Sequence, residues 1–280
     1  MLNTVILIGK VKKDLELRES SNGRSFSILT LEVENPESGK GEKELIDVSL
    51  WGYTAENVSK YAGEGSSISV RGRATNRILD FPDHQVRTIE TVGEQVSFIQ
   101  TKVPGSFKTN NPKTANDLST SLNQTILIGR TTRDIELKES ESGRTYANVT
   151  LAVTRSFKNV ETNSYEVDFI DVTLWDQKAR EVAKYAGKGS AISVRGHLTD
   201  RNLELPFGHM RTRTIGVVGD KVSYVSLKSP QLEQQISKSS KEVEQIDEWI
   251  PMSEFEKNPD RYPEIMNRSN QNEVNEIEIE

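Results

Sequence analysis

The strongest constraint on the fold of this 280-residue chain is that much of it occurs twice. Lys60–Gly72 reads KYAGEGSSISVRG and Lys184–Gly196 reads KYAGKGSAISVRG, so 11 of the 13 positions are identical. Leu2–Gly9 (LNTVILIG) likewise matches Leu122–Gly129 (LNQTILIG). Because the matches spread over about a hundred residues, they predict two copies of one domain rather than a repeated short motif.

In both copies, one stretch has an outward face that is unusual for a strand. Asp168–Trp175 reads DFIDVTLW, and Glu44–Trp51 reads ELIDVSLW. Alternation directs the aliphatic residues to one face, which suits a core, and rings, hydroxyls and a carboxylate to the other. Exposed rings beside hydroxyl groups are typical of surfaces on which nucleic-acid bases stack. The alternative is that the rings are covered by another part of the protein or by a second copy of it.

The rest of each copy predicts further strands and one short helix. Apolar residues at three-and-four spacing predict helices over Tyr53–Tyr61 and Gln177–Tyr185. Gly63 and Gly187 then stand where a left-handed helix C-cap belongs. About five strands with a short helix between the third and the fourth is the plan of the OB-fold, a five-stranded Greek-key barrel. The predicted fold class is therefore all-β, with two tandem OB-folds.

Composition changes along the chain and suggests where the domains end. The segment between the copies is rich in Pro, Gly, Asn and Thr, as a linker is. The last fifty residues hold 5 Lys and Arg against 13 Asp and Glu, which predicts a disordered acidic tail with a short helix around Gln234–Ile246. The predicted divisions are 1–101 (first OB-fold), 102–120 (linker), 121–228 (second OB-fold) and 229–280 (tail).

Several classes of protein are disfavoured. The chain has no Cys and only three His, which argues against disulfides and zinc clusters, so we expect no metal and no cofactor. It has no phosphate-binding glycine loop and no acid–base pair, so we expect no enzyme activity. No apolar run approaches the ~20 residues of a membrane span, and the basic residues follow the first apolar run instead of preceding it. We therefore expect a cytoplasmic protein with no membrane contact.

Taken together, the motifs of each copy resemble those of bacterial single-stranded-DNA-binding proteins. They are the LNxxILIG opening, the Asp–x–Glu–Leu sequence after it, the (Ile–Asp)–Val–x–Leu–Trp strand, and the Lys–Tyr…Gly–Ser–x–Ile–x–Val–x–Gly stretch. The resemblance covers residues 2–100 and 122–226. It implies OB-folds that assemble in fours, bases stacked on aromatic rings, and an acidic tail that recruits replication and repair proteins. With two OB-folds in one chain, it implies a homodimer.

The family's stacking rings are not equally preserved in the two copies. In the second copy they correspond to Phe157, Phe169 and Trp175, which are all aromatic. In the first copy only Trp51 matches, because Leu45 stands in the place of Phe169 and the hairpin loop has no ring. Each stacked ring contributes ~1–3 kcal/mol to the binding of a single strand. We therefore expect the second domain to dominate DNA binding.

Basic side chains are the candidates for contacts with DNA phosphates, and affinity should then fall with salt. Each of them can equally be a solvated surface residue or the partner of a carboxylate. Alternation places Arg71 and Arg195 on an outward face, which favours them. The candidates are Arg144, Arg155, Lys158, Arg195, Arg201, Arg211 and Arg213 in the second copy, and Arg24, Arg71, Arg73, Arg77 and Arg87 in the first.

The tail departs from the family pattern, because its end reads EVNEIEIE and lacks the terminal Phe. Large apolar residues in a disordered segment usually bind something, so we expect the tail to recruit partner proteins; the alternative is a solubilising tail. The candidate contacts are Trp249, Ile250, Phe255, Ile277 and Ile279.

Two other functions use the same residues. An OB-fold RNA-binding protein or chaperone would use the same rings and charges. An assembly module of a replication or mobile-element complex would use the first OB-fold only for contacts between subunits.

Overall fold

The computed structural model describes residues 1–36, 41–81, 84–102, 104, 121–159, 162–204 and 211–228, without the side chains of residues 80–86 and 202–213. Most of the described residues lie in strands, because the alternating segments of each copy can bury one face of a sheet. The first copy contains β1 (Leu2–Val11), β2 (Arg18–Glu19), β3 (Ser25–Glu34), β4 (Lys43–Trp51), α1 (Gly52–Tyr61), β5 (Ser67–Phe81) and β6 (His84–Gln100).

The strands of the first copy close into a barrel around their aliphatic faces. β1 pairs with β5 along most of its length and with β3 at its far end, where Lys10 opposes Glu32. β4 pairs with β3 on one side and, in parallel, with β6 on the other. Ile46, Val48 and Leu50 point into the barrel and are fully buried. The predicted inward face of this strand is therefore confirmed.

The second copy repeats this arrangement. β10 pairs with β9 and, in parallel, with β12, and β7 pairs with β11 and β9. The predicted all-β class with two OB-folds is confirmed. The elements are β7 (Leu122–Thr131), β8 (Lys138–Glu139), β9 (Thr145–Lys158), β10 (Tyr165–Trp175), α2 (Asp176–Tyr185), β11 (Ala191–Glu204) and β12 (Arg211–Ser226).

Both predicted helices are present, but the predicted role of the glycines after them is wrong. Each helix is followed by a capping alanine in an extended conformation, and the left-handed glycines after the helices are Gly65 and Gly189 instead. Gly63 is needed for a close approach, because a Cβ there would lie 2.8 Å from the backbone of Pro104. Its N–H donates to the carbonyl of Lys102. The end of the first copy thus returns to the helix C-terminus.

The two barrels are joined through their first strands. β1 runs antiparallel to β7, with Leu2 opposite Ile128 and Ile8 opposite Leu122. Among the described residues, twelve strands therefore belong to one hydrogen-bonded sheet that passes from barrel to barrel. The described residues up to Lys228 form one compact unit. The predicted linker lies almost wholly outside the described residues, as does the tail with its predicted helix, so the domain boundaries remain predictions.

Candidate nucleic-acid interface

The outward face of β9 and β10, which we call the second platform, has the alternation predicted from the sequence. Phe169, Asp171, Thr173 and Trp175 lie on β10, and residues of β9 lie directly opposite them. Phe169 is 38% exposed. Because a strand rises about 3.3 Å per residue, Phe169 and Trp175 stand about 20 Å apart on one face. The platform is long enough to contact several successive bases.

One end of the second platform holds two neighbouring rings, tilted towards each other, and a guanidinium. Tyr146 on β9 faces Trp175, with ring centroids 5.4 Å apart. The Arg144 guanidinium lies 4.7 Å from the Trp175 ring centroid and is held by Asp176, with Nη2 2.7 Å from Oδ2. Trp175 is therefore supported on one side by Tyr146 and accompanied by a cation that can meet a phosphate.

A second cation lies in the middle of the second platform. Arg201 on β11 reaches across β12 and donates to the Thr173 hydroxyl at 2.8 Å. Its side chain passes over Gly216, where a Cβ would overlap Arg201 Nε. The glycine thus leaves the space in which the guanidinium lies. Two of the predicted stacking rings, Phe169 and Trp175, and two of the predicted cations, Arg144 and Arg201, thus belong to this platform.

The equivalent surface of the first barrel, the first platform, keeps only part of this arrangement. Phe26 on β3 stacks on Trp51 with ring centroids 5.3 Å apart, and the Arg24 guanidinium lies 5.7 Å from the Trp51 centroid. Leu45 stands where the second platform has Phe169, and the exposed Ile28 lies on the neighbouring strand. One end of the platform is thus preserved and the other has lost its ring.

Carboxylates occupy the remainder of the first platform. Ser49, the equivalent of Thr173, donates a short hydrogen bond to Glu90, which stands at the position of Gly216. Glu32 lies opposite Leu45 and accepts hydrogen bonds from Lys12 and Lys43. The hydrogen bond from Lys43 is the main reason why the pKa of Glu32 is lowered. The first platform therefore presents negative charge at the place where the second presents Arg201.

Arg155 lies at the junction of the barrels and is heavily hydrogen-bonded. It donates to both oxygens of Asp168, at 2.7 and 2.8 Å, to Glu166, and to Thr75 of the first barrel at 3.0 Å. Thr75 also donates to Asp168 at 2.6 Å. Burial by itself would raise the pKa of Asp168, but the hydrogen bonds and the nearby guanidinium charges outweigh it and lower that pKa. Arg155 joins the two barrels, which leaves it fewer donors for a phosphate.

The other half of the junction is related by the repeat but differs in charge. Glu44 is the counterpart of Asp168, and it accepts from the Thr199 hydroxyl at 3.2 Å and the Asp200 N–H at 3.1 Å. Asn35 donates to Glu44 where Arg155 donates to Asp168. Because this site has burial without a guanidinium, the pKa of Glu44 is raised.

Phe157 also belongs to the junction. A register shift in the pairing of β9 with β10 directs this part of the hairpin towards the first barrel. The Arg73 guanidinium of the first barrel lies 5.2 Å from the Phe157 ring centroid, while the ring remains 47% exposed. Phe157, predicted as a stacking ring, and Arg73, predicted as a phosphate contact, thus come from different barrels but contact each other.

The remaining predicted cations are scattered. Arg71 and Arg195 are exposed, as predicted, but they lie beside Ile6 and Ile126 on the outer face of the β1–β7 sheet. Lys158 lies over the Tyr165 ring. Arg77 and Arg87 are exposed on the first barrel but lie outside this surface. The other predicted residues lie outside the described side chains: Arg211, Arg213, Trp249, Ile250, Phe255, Ile277 and Ile279.

Sequence reasoning missed four residues of the platforms. Phe26 and Tyr146 alternate to the outward face of strands that were expected, but their position beside a tryptophan depends on the strand register. The exchange of Glu90 for Gly216 is visible when the repeats are aligned. Its effect on the platforms depends on the parallel pairing that brings β6 next to Ser49 of β4, and β12 next to Thr173 of β10.

No cluster of three or more His, Cys, Asp or Glu suited to a metal ion occurs in the part of the chain that the structure describes. Within the same residues, neither helix has the length and apolar character needed to span a bilayer.

Comparison with known proteins gives concordant results. The chain is 41% identical over 114 residues to single-stranded DNA-binding protein 1 of Staphylococcus aureus (strain MSSA476), covering 41% of this chain and 72% of that protein. It is 38% identical over 106 residues to single-stranded DNA-binding protein B of Bacillus subtilis (strain 168), covering 38% of this chain and 92% of that one.

The fold is similar to the crystal structure of the wild-type single-stranded DNA binding protein from Thermus aquaticus. The TM-score is 0.59 at 22% identity, over 82% of this chain and 96% of that one. The model of the single-strand binding protein family matches twice, at residues 2–99 and 122–225. The chain therefore belongs to the single-strand binding protein family.

Proposed function

We propose that the protein binds single-stranded DNA with little sequence preference during replication, recombination or repair, and that the second platform supplies most of the affinity. The observation that carries this proposal is the common face of Phe169, Trp175 and Arg201, with Tyr146 and Arg144 at its end. Stacking on rings accepts any base, and guanidinium groups bind phosphates bidentately. With this ligand, the proposed location is the bacterial cytoplasm or nucleoid.

The first platform makes a smaller contribution in this proposal. Trp51 and Arg24 offer one stacking position, but Glu90 and Glu32 oppose a polyanion that passes over the rest of the surface. Like charges that face each other across an interface are destabilising.

Binding is tested with the full-length chain and a fluorescently labelled dT oligomer, followed by anisotropy over a range of salt concentrations. We expect tight binding at low salt and a log affinity that falls linearly with log salt. An rU oligomer and a DNA duplex are the matched comparisons. Equal or tighter binding of rU would favour the RNA-binding alternative. Absence of binding to either strand, with the oligomeric state retained, would favour the assembly module.

We propose a homodimer with four OB-folds. The outer face of the β1–β7 sheet supports this, because Ile6 and Ile8 of β1 and Ile126 and Ile128 of β7 are half-buried there. Two such faces packed together would bury an apolar stripe, as interfaces between subunits do. Light scattering should give twice the mass of the chain, and Ile6→Glu with Ile126→Glu should give the single-chain mass.

We propose that the acidic tail recruits replication or repair proteins through its apolar residues. The support is compositional, since Trp249, Ile250 and Phe255 are large apolar residues within an acidic, polar segment. Alanine at these three positions should abolish partner binding and leave the affinity for dT unchanged. Alanine at Ile277 and Ile279 in a separate variant tests the chain end.

A further inference from the structure

A pocket opens where the first barrel meets the β9–β10 hairpin of the second. It is lined from the first barrel by Arg71, Arg73 and Glu94, and from the second by Arg155, Ser156 and Phe157, and it has a volume of about 160 Å³. Three arginines, two from the first barrel and one from the second, therefore line one concave site that neither barrel forms alone.

Arg73 is the residue of this pocket whose bonding is incomplete. Its side chain is only 18% exposed, and neither Nε nor Nη1 has a hydrogen-bond partner among the described residues. The Glu94 carboxylate lies 3.2 Å from Nε, without hydrogen-bonding geometry, and is itself half exposed. Burial, together with the charge of Arg155, lowers the pKa of Arg73. A desolvated cation with unsatisfied donors is stabilised by an anion.

The pocket lies close to the end of the second platform. The Phe169 backbone N–H donates to the side chain of Asn76 at 2.8 Å, so the strand that carries the last ring of the platform contacts β5. Arg73 precedes Asn76 by three residues on that strand, a distance of about 10 Å. A strand that runs along the platform past Phe169 therefore reaches the pocket within its next one or two nucleotides.

The pseudo-equivalent half of the junction lacks this chemistry. His197 stands in the place of Arg73, and its ring bonds to Asp220 at 3.2 Å. Asn35 stands in the place of Arg155, beside the buried Glu44. Both halves hold a buried carboxylate, but only the pocket half places the guanidinium groups of Arg73 and Arg155 near it, so an anion is favoured on that side.

We propose that the junction pocket binds one phosphate group of the DNA strand after it leaves the second platform, so that Arg73 of the first barrel completes the binding surface of the second. Arg73 brings a largely buried guanidinium charge to the pocket lining and contacts the Phe157 ring. This inference rests on the proposed function. It gives the first barrel a role in DNA binding that does not depend on its own platform.

The test compares full-length variants in the dT anisotropy assay over a range of salt concentrations. Arg73→Met should weaken binding about tenfold at low salt and reduce the salt slope by ~0.7, the value for one phosphate on a single strand. Arg73→Lys keeps the charge and should retain the slope with an intermediate affinity. Arg133→Met, which removes an exposed cation from the loop after β7, is the matched control for net charge and should change the slope less.

Thermal unfolding reports whether each variant is folded, and light scattering reports whether it keeps the mass of the wild type. Arg71→Met, at an exposed position of the same pocket, decides the matter if Arg73→Met does not fold and Arg71→Met keeps that mass. The assignment is wrong if Arg73→Met, or Arg71→Met in its place, matches Arg133→Met in both affinity and slope. A second outcome also contradicts the assignment. In it, inorganic phosphate raises the unfolding temperature of the wild type but not that of Arg73→Met, while the two proteins bind dT with equal affinity. The pocket would then bind a free anion and not the DNA strand. If the wild type fails to bind dT, the proposed function itself fails.

Discussion

The two barrels have the same core and different surfaces. Inward positions of β4 and β10 are Ile46, Val48 and Leu50 in one barrel and aliphatic residues of the same size in the other. On the outward faces, Leu45 is exchanged for Phe169 and Glu90 for Gly216. Tight packing penalises changes of volume inside a barrel, whereas the platform tolerates exchanges of charge and ring. The differences between the repeats therefore lie on the surface that we propose binds DNA.

The junction shows the same contrast in a buried setting. Asp168 is bonded to a guanidinium and to Thr75, and Glu44 is bonded to a hydroxyl, an amide and a backbone N–H. The first arrangement compensates a buried charge with an opposite charge, and the second does so with dipoles alone. The following experiments compare equivalent positions of the two barrels, from the largest expected effect to the smallest.

The largest difference is expected in stability. Asp168→Asn leaves Arg155 without its main counter-charge in a site where the carboxylate is almost fully buried, and should lower the free energy of unfolding by about 3 kcal/mol. Glu44→Gln removes a charge that burial disfavours and should change stability by less than ~1 kcal/mol. Urea unfolding at pH 7 measures both. Equal losses would show that the two halves of the junction are energetically equivalent.

The pH dependence gives an independent check of the same pair. The pKa of Asp168 is lowered on folding, so its stabilisation is present above its ordinary value of 3.8 and is lost as the pH falls through the folded value. The pKa of Glu44 is raised, so stability falls as the pH rises from 4.5 to its folded value. The difference in the free energy of unfolding between Asp168→Asn and the wild type should therefore become smaller in acid. Glu44→Gln should remove the loss of stability that the wild type shows as the pH rises above 4.5.

The next difference is in DNA binding. Trp175→Ala should cost about 2 kcal/mol of dT affinity, because it removes the ring that Tyr146 supports and Arg144 accompanies. Trp51→Ala should cost less than half of that, because Glu90 and Glu32 lie along the rest of the first platform and Leu45 replaces its second ring. Anisotropy with a dT oligomer measures both, with thermal unfolding as the control. A larger loss for Trp51→Ala would reverse the proposed order of the barrels.

Placing a glutamate at position 216 of the second platform, as the first platform has at position 90, should change the affinity for dT about tenfold. Gly216→Glu forces Arg201 away from the second platform and adds a carboxylate, so dT affinity should fall by about 1.4 kcal/mol. Glu90→Gly removes the carboxylate from the first platform and should raise affinity by a smaller factor. Gly216→Ala is the control, because it displaces Arg201 without adding charge. Unchanged affinity in Gly216→Glu would exclude Arg201 from the binding surface.

The smallest effect is expected from the exchanged ring. Leu45→Phe restores an aromatic residue to the first platform and should raise dT affinity by at most ~1 kcal/mol, because Glu32 still lies opposite it. Phe169→Leu should lower affinity by about the same amount. Both substitutions conserve apolar character, so folding should change little. A gain in Leu45→Phe that exceeds the loss in Phe169→Leu would indicate that the first platform is already occupied by DNA.

The sequence by itself determined the repeat, the all-β class, the helices and the inward face of each strand, because alternation and turn chemistry are local properties of the chain. It also placed Phe169 and Trp175 on one face. It identified Arg155, Arg73 and Phe157 only as separate candidates. Their contact depends on β1 pairing with β7, and no local pattern encodes the choice of partner strand. The tertiary structure alone decided which cations meet the platform, because register and strand order bring together residues that lie far apart in the chain.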